Sequence, residues 1–137
     1  MNGAPTRLKT GEIMANPSLT IMIVDDHPLM RRGIRQLLAL EPRLEVVAEA
    51  NNGTEALAEA RRLSPDVILL DLNMKGMSGL DTLKALRNEG IAARILVLTV
   101  SDARNDIYAM VDAGADGYLL KDLSLIHISE PTRPRLI

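Results

Sequence analysis

The fold is decided by residues 67–79, which read VILLDLNMKGMSG. Four consecutive apolar residues of strand-forming type end on the carboxylate of Asp71, and a loop with Gly76 and Gly79 follows. A strand that is apolar on both faces is normally buried in a parallel sheet, and its carboxyl end lies at the edge where open α/β sheets bind ligands. Asp71 alone is weak evidence of such a site, because aspartate also follows strands as an ordinary turn former.

Strand-like and helix-like segments alternate along the rest of the chain. The strands are predicted at residues 19–24, 44–49, 66–71, 94–99 and 116–121. The helices are predicted to begin at Pro28, with Thr54 as a cap, with Ser78 as a cap, and with Ser101 or Asp102 as a cap. Strands and helices that alternate through short turns predict an α/β fold with a doubly wound parallel sheet.

The composition indicates a soluble globular domain with an aliphatic core. Apolar residues make up 47% and charged residues 25%, with two tyrosines and no phenylalanine or tryptophan. The scarcity of aromatic rings argues against a single-strand nucleic-acid binder, and the formal charge of −2 provides no basic surface for duplex DNA. The absence of cysteine excludes disulfides and thiolate metal sites. No apolar run approaches the roughly 20 residues of a membrane span, so we expect a cytoplasmic protein with no membrane partner.

The two ends of the chain depart from this pattern. Residues 1–18 are polar and show no periodicity, which predicts a disordered leader. Residues 124–137 read SLIHISEPTRPRLI, and their two prolines argue against a regular final helix. This peptide resembles a recurrent cloning or sequencing read-through product. We therefore expect a domain at 19–122, with its last helix missing or replaced by a non-native tail at 123–137.

Polar residues end four of the predicted strands, namely Asp25 with Asp26, Asp71, Thr99 and Lys121. The carboxyl ends of parallel strands share one edge, so we expect these side chains to meet. Each pair of close carboxylates repels by about 4 kcal/mol at an effective dielectric near 20, so the cluster needs raised pKa values or a cation. Oxygen ligands favour Mg²⁺, which keeps positions open for phosphoryl oxygens, and a neighbouring aspartate can attack phosphorus.

Longer phrases around these residues resemble a known family. They are VDDHPLMRRG at 24–33, VILLDLNMKGMSGLDTL at 67–83 and GADGYLLKD at 114–122. They are similar to the receiver domains of response regulators, and in particular to the NarL/FixJ subfamily and its nitrate/nitrite-responsive transcription regulators. The resemblance covers roughly Leu19 to Asp122 and implies a flavodoxin-like, five-stranded sheet with the strand order 2-1-3-4-5.

The resemblance also implies a role for each matching residue. Asp71 is expected to be the phosphoacceptor, with Mg²⁺ bound by Asp25, Asp26, Asp71 and the backbone carbonyl of Asn73. The other implied roles are a phosphoryl contact for Lys121, a switch hydroxyl for Thr99 and a rotating switch aromatic for Tyr118.

The partner implied by the resemblance is a sensor histidine kinase, which phosphorylates receivers in two-component phosphorelays. The chain is not expected to be an enzyme beyond its own phosphoryl transfer and dephosphorylation. Without a last helix we expect apolar surface at strand five, around Leu119 and Leu120, and self-association, for example as a homodimer. The family's DNA-binding helix-turn-helix domain has no counterpart in this sequence, so no DNA binding by this fragment is expected.

Other functions compete with this interpretation. A phosphatase or mutase that forms an aspartyl-phosphate would place its nucleophile first in a D-x-D pair after strand one, where this chain has adjacent Asp25 and Asp26. A cobalamin-binding Asp-x-His-x-x-Gly box fails because Met30 occupies the glycine position. A binding domain without chemistry remains open, and Mg²⁺ binding with phosphoryl uptake would separate it from a receiver.

The sequence gives no functional role to the other residues of the first loop and the first helix, and we interpret them as structural. His27 suggests a metal ligand but is interpreted as a polar residue that helps to pack the loop. Arg31 and Arg32 are interpreted as a solvated helix face, whereas Leu29 and Leu37 follow the spacing of a core-facing stripe.

Overall fold

Five strands and four helices alternate along residues 18–74, 77–100 and 103–121, the part of the chain that the computed structural model describes. The strands are β1 (Leu19–Val24), β2 (Leu44–Ala50), β3 (Val67–Asp71), β4 (Arg94–Thr99) and β5 (Gly117–Leu120). The helices are α1 (Pro28–Leu38), α2 (Gly53–Leu63), α3 (Gly79–Asn88) and α4 (Arg104–Asp112). The predicted strands therefore form, with bounds that differ by one residue or less.

All strand pairs are parallel, and the strand order is β2-β1-β3-β4-β5. This arrangement confirms the predicted doubly wound sheet and its order. The apolar strand β3 is central, with Leu70 paired to Val24 of β1 and to Val97 of β4. Its central position follows from its sequence, because only a strand covered on both faces needs apolar residues at every position.

The two faces of the sheet are buried unequally. The larger core lies against α2, α3 and α4 and contains Met22, Val24, Ile68, Leu70, Leu83, Leu86, Ile95, Val97 and Met110. The smaller core on the other face is formed by Ile21, Ile23, Leu69 and Leu98, with Ile34 and Leu38 of α1 packed against it. Alternate residues of each strand thus enter different cores, as the two-residue period of a strand requires.

The prediction that Leu29 and Leu37 face the core is wrong. Leu29 is 79% exposed and Leu37 is 54% exposed. Both line an apolar groove of about 660 Å³ between α1 and β5, to which Leu119 also contributes. Leu119 is itself half exposed, which confirms the expected apolar surface at strand five. Helical spacing identifies an apolar stripe but cannot determine how much of it a neighbouring element covers.

Side-chain caps begin two of the helices. Ser78 caps α3 as predicted, since its Oγ accepts a hydrogen bond from the backbone N–H of Asp81. The prediction that Thr54 caps α2 is wrong, because Asn52 holds the cap position and its Oδ1 accepts from the N–H of Glu55. Asparagine is at least as good a cap as threonine, and α2 therefore starts at Gly53, before Thr54.

The residue that directly precedes α4 is Ala103, whose side chain provides no cap hydrogen bond. Ser101 and Asp102 lie outside the described residues, as do the predicted tail at 123–137 and all of the leader except Ser18. The prediction that the last helix is missing concerns the same undescribed segment. None of the helices in the described ranges combines the length and apolarity that crossing a membrane requires.

Candidate functional site

Four buried polar residues lie at the carboxyl edge of the sheet, each at the end of a different strand. Asp25 follows β1, Asp71 ends β3, Thr99 ends β4 and Lys121 follows β5. Asp25, Asp71 and Thr99 are fully buried, and Lys121 is 8% exposed. Burying charged groups is costly, so their concentration at one edge indicates a functional site.

The ammonium group of Lys121 lies between two carboxylates. Its Nζ is 3.0 Å from Asp71 Oδ1 and 3.5 Å from Asp25 Oδ2. The backbone N–H of Lys121 donates to the Thr99 carbonyl over 2.8 Å, which holds the lysine beside the end of β4. One ammonium cannot neutralise the carboxylates of Asp25, Asp26 and Asp71, so the edge retains excess negative charge.

The two carboxylate oxygens of Asp71 have different surroundings. Oδ1 accepts hydrogen bonds from the backbone N–H of Asn73, at 3.0 Å, and from Lys121. Oδ2 is buried and accepts no hydrogen bond from any residue in the described ranges. Burial raises the pKa of Asp71 and the charge of Asp25 adds to the effect, while the hydrogen bonds from Asn73 and Lys121 oppose it without reversing it. Asp71 therefore carries an oxygen that is available to a ligand.

Besides Asp25, the loop after β1 brings the carboxylate of Asp26 and the imidazole of His27 to the site. Asp25 Oδ1 accepts a hydrogen bond of 2.8 Å from the backbone N–H of His27. His27 Nδ1 lies 3.1 Å from Asp25 Oδ1 and 2.9 Å from Asp26 Oδ1. One possible ligand atom from each of Asp25, Asp26, His27 and Asp71 lies within 4.8 Å of all the others. His27 occupies the cap position of α1 without a side-chain cap hydrogen bond, and its ring contacts the two carboxylates of the same loop.

Arg31 holds this loop against the end of β2. Its Nη1 donates to the Asp25 carbonyl at 2.5 Å and to Asn51 Oδ1 at 2.6 Å, and its Nε donates to Glu49 at 3.1 Å. The interpretation of Arg31 as a solvated residue is therefore wrong, since only 14% of its side chain is exposed. Burial alone would raise the pKa of Glu49, but hydrogen bonds from Arg35 and Arg31 lower it. The sequence signal for the pairing of Glu49 with Arg31 and Arg35 is a glutamate near the end of β2 together with arginines on the preceding helix α1.

Gly79 allows α3 to start directly against the end of β3. A Cβ placed on Gly79 would lie 2.4 Å from the Asp71 carbonyl oxygen and 2.4 Å from Leu72 Cα. Both are backbone atoms that cannot rotate away, so a side chain at this position would push α3 from the site. The small residue thus fixes the short connection between Asp71 and the helix.

The remaining predicted residues lie near the same edge but are less enclosed. Asn73 is exposed and contacts Asp71 through its backbone N–H. Tyr118 is 41% exposed and pairs with Val97 in the sheet, three residues before Lys121. The structure therefore brings Asp25, Asp26, Asp71 and Lys121 together, with Thr99 at the neighbouring strand end.

The donor atoms of this edge fit a hard divalent cation. Carboxylate oxygens are the ligands that Mg²⁺ prefers, and it commonly uses only one or two of them. Asp71 Oδ2 has no hydrogen-bond donor among the described residues, and the cluster carries more negative charge than Lys121 balances. A cation would relieve both conditions.

The sequence profile of the response regulator receiver domain matches residues 21–132. The chain belongs to this family. It is a receiver domain of the type found in NarL and NarP two-component response regulators. The parallel sheet, with its acidic residues after β1 and β3, is the structural counterpart of that match.

Two relatives of this receiver domain are nitrate/nitrite response regulators. It is 71% identical over 102 residues to NarP of Escherichia coli K12, an alignment that covers 74% of this chain and 47% of NarP. It is 67% identical over 104 residues to a homologous regulator of Haemophilus influenzae, covering 76% of this chain and 50% of that protein. The chain thus spans about half the length of these relatives.

A solved structure shows the same fold as this receiver domain. The crystal structure of a LuxR-family two-component response regulator from Aurantimonas sp. SI85-9A1 aligns with a TM-score of 0.73 and 37% identity. The alignment covers 77% of this chain and 75% of that one.

Proposed function

We propose that Asp71 accepts a phosphoryl group from the phosphohistidine of a sensor kinase in a reaction that depends on Mg²⁺. The observation that carries this proposal is the buried Asp71 carboxylate, which has one oxygen held by Lys121 and Asn73 and the other without a donor among the described residues. A structural aspartate would have both oxygens satisfied. An aspartate that attacks phosphorus needs one oxygen available and a cation near the developing charge.

Asp25, Asp26, Asp71 and the carbonyl of Asn73 are the groups that would hold Mg²⁺. The chemistry that Mg²⁺ would supply there is partial neutralisation of the charge on the phosphoryl oxygens. Burial and the neighbouring charge of Asp25 both raise the pKa of Asp71, and a cation would favour its ionised form. The close carboxylates thus make the site responsive to a divalent ion.

The chain's own residues perform the transfer as follows. A lone pair on Asp71 forms the new O–P bond while the P–N bond to the donor imidazole breaks, and the imidazole leaves with that electron pair and takes up a proton. Lys121 Nζ, already 3.0 Å from Asp71 Oδ1, provides positive charge beside the reacting oxygens. The Thr99 hydroxyl, at the end of the adjacent strand, donates a hydrogen bond to a phosphoryl oxygen.

Thr99 and Tyr118 form the proposed switch. Thr99 is buried at the edge, whereas Tyr118 is partly exposed on β5 and has room to change its rotamer. A hydroxyl drawn toward a phosphoryl group would leave space behind it, and the tyrosine ring would then alter the surface beside β5. This surface would transmit the phosphorylation state to the rest of the parent protein.

The parent protein is proposed to be a nitrate/nitrite-responsive transcription regulator in the cytoplasm. The support is the similarity to regulators described as such, which extend well beyond the aligned region. DNA binding would belong to the part of those proteins that this chain does not span. The apolar groove of this chain between α1 and β5 would favour self-association.

An enzyme of the aspartyl-phosphate phosphatase type is not favoured, because the available carboxylate lies at the end of β3 and not in a D-x-D pair after β1.

The test is phosphorylation by acetyl phosphate with Mg²⁺, followed by intact mass. We expect the unsubstituted chain, called the parent in the experiments below, to gain one phosphoryl group and the Asp71→Asn variant to gain none. Asp112→Asn, which changes an exposed aspartate at the end of α4, serves as the matched control and should be labelled like the parent. Equal labelling of Asp71→Asn and the parent would show that Asp71 is not the acceptor.

A further inference from the structure

We infer that His27 adds a nitrogen ligand to the carboxylate cluster. With this ligand the site also binds a borderline divalent cation such as Zn²⁺, Co²⁺ or Ni²⁺. While such a cation is bound, Mg²⁺ cannot occupy the site. The inference deepens the proposed Mg²⁺ site and rests on the same carboxylates. It concerns a residue to which the proposed phosphoryl transfer gives no role.

The spacing of the atoms fits shared coordination. His27 Nδ1 is 3.1 Å from Asp25 Oδ1 and 2.9 Å from Asp26 Oδ1. Two neighbouring ligands that each lie about 2.1 Å from one ion are separated by roughly 3.0 Å in octahedral and 3.4 Å in tetrahedral geometry. The imidazole nitrogen and the two carboxylate oxygens therefore already occupy positions that one cation could join.

A separate observation also indicates a ligand here. Asp71 is fully buried, and its Oδ2 has no hydrogen-bond donor among the described residues. Asp71 also belongs to the group whose ligand atoms lie within 4.8 Å of one another, together with His27. A buried carboxylate with one unsatisfied oxygen thus belongs to the same group of possible ligands as the imidazole.

The ligand set determines the class of cation. Carboxylates alone suit Mg²⁺, whereas carboxylates with an imidazole suit Zn²⁺, Co²⁺ and Ni²⁺, whose affinities for such sites are intrinsically higher. A coordinated imidazole would also fill a position that Mg²⁺ leaves to phosphoryl oxygens in the proposed reaction. The borderline cation should therefore inhibit phosphorylation of Asp71.

The Nδ1 atom of His27 could also act as a hydrogen-bond donor, and the experiment must distinguish this role from metal coordination. A neutral imidazole that carries its proton on Nδ1 can donate a hydrogen bond to a carboxylate, while the other tautomer presents a lone pair there. Asparagine can place an N–H close to the Nδ1 position but is a poor ligand for these cations. His27→Asn therefore keeps a donor while removing the nitrogen ligand. The His27 side chain is 60% exposed, so the substitution disturbs little of the core.

The experiment titrates the full chain with Co²⁺, followed by its visible absorption, and then with Zn²⁺ as a competitor. We expect His27→Asn to weaken binding of both ions by about tenfold or more, and to leave Mg²⁺ affinity nearly unchanged. The matched control is His127→Asn, which removes the other histidine of the chain and should bind like the parent. Asp26→Ala should weaken Co²⁺ as well, because its carboxylate belongs to the same cluster.

Unchanged Co²⁺ and Zn²⁺ affinities in His27→Asn would overturn the inference and leave Nδ1 as a hydrogen-bond donor only. A loss of affinity in His127→Asn in place of His27→Asn would equally overturn it, since the ions would then bind elsewhere. Labelling by acetyl phosphate with Mg²⁺ is measured in parallel, and Zn²⁺ should suppress it in the parent much more than in His27→Asn. Absence of any Mg²⁺-dependent labelling would count against the proposed function, whereas the Co²⁺ spectra judge the role of His27 independently.

Discussion

The two edges of the sheet differ in how fully their charged side chains are paired. At the amino edge, where the strands begin, charged groups are matched by donors and acceptors. Arg87 at the end of α3 pairs with Asp116 over 2.8 Å, and the same Asp116 oxygen accepts from the backbone N–H of Ile95. At the carboxyl edge, the carboxylates of Asp25, Asp26 and Asp71 lie together, Lys121 contacts two of them, and Asp71 Oδ2 has no donor in the described part of the chain. One edge stabilises the fold, while the other retains an imbalance that a ligand can relieve.

Arg87 shows how the amino edge reaches this balance. Besides Asp116, its guanidinium donates to the backbone carbonyls of Gly114 at 2.9 Å, Ile91 at 2.8 Å and Ala93 at 2.9 Å. These carbonyls belong to the loops that precede β4 and β5. One side chain thereby joins two loops whose backbone acceptors would otherwise need water.

The largest effect is expected from breaking the amino edge. Arg87→Ala removes the donor of three backbone carbonyls and the partner of Asp116, so it should lower the free energy of unfolding by about 2–4 kcal/mol. The matched control is Arg61→Ala, which breaks an exposed ion pair with Glu89 and should cost much less. Urea denaturation of the two variants gives the comparison. Similar losses in both would mean that Arg87 does not join the loops.

A cation should remove the imbalance of the carboxyl edge. At a hundredfold excess over its dissociation constant, Mg²⁺ should add about 2.7 kcal/mol to the free energy of unfolding, seen as a higher melting temperature. Asp26→Ala should lose most of this response, whereas Glu45→Ala, which removes an exposed carboxylate on β2, should keep it. If millimolar Mg²⁺ does not change the melting temperature of the unsubstituted chain, the result would argue against a metal site.

Neutralising Asp71 should relieve the same repulsion without a cation. In the absence of Mg²⁺, Asp71→Asn should raise the free energy of unfolding at neutral pH by on the order of 1 kcal/mol, because it removes a buried charge beside Asp25. The folded-state pKa of Asp71 lies above its unfolded value of about 3.9. The gain should therefore shrink as the pH falls through the raised pKa, where the parent is protonated too. Lower stability of Asp71→Asn at neutral pH would contradict this expectation.

The smallest effect concerns Glu49, a carboxylate near the end of β2 whose pKa is lowered. Burial opposes the lowering, but the hydrogen bonds from Arg35 and Arg31 prevail. The ionised form therefore stabilises the fold above the unfolded pKa of about 4.3, and this contribution is lost as the pH falls through the lower folded pKa. Glu49→Gln should cost less than about 1 kcal/mol at pH 7 and almost nothing in strong acid, as measured by urea denaturation at several pH values. A cost that does not depend on pH would exclude the ion pairs as its cause.

The central elements of this protein are determined by local sequence. The apolar run of β3 predicts a buried parallel strand, and Asp71 follows it at the edge where ligands bind. The strand bounds and the cap by Ser78 follow from patterns only a few residues long. Asp25, Asp26 and Lys121 were also predictable, because parallel topology places strand ends together whatever the side chains between them.

Other features depend on contacts between distant segments, and only the tertiary structure determined them. The choice of Asn52 over Thr54 as a cap reflects the exact point at which the chain leaves β2. Arg31 and Arg87 look like surface residues in sequence, yet each binds backbone carbonyls in a loop that folding brings to it. The contacts of His27 with Asp25 and Asp26 are local, but its approach to Asp71 requires that β1 and β3 be neighbours. Periodicity and spacing describe one segment at a time, whereas burial, hydrogen-bond satisfaction and charge balance depend on which segments meet.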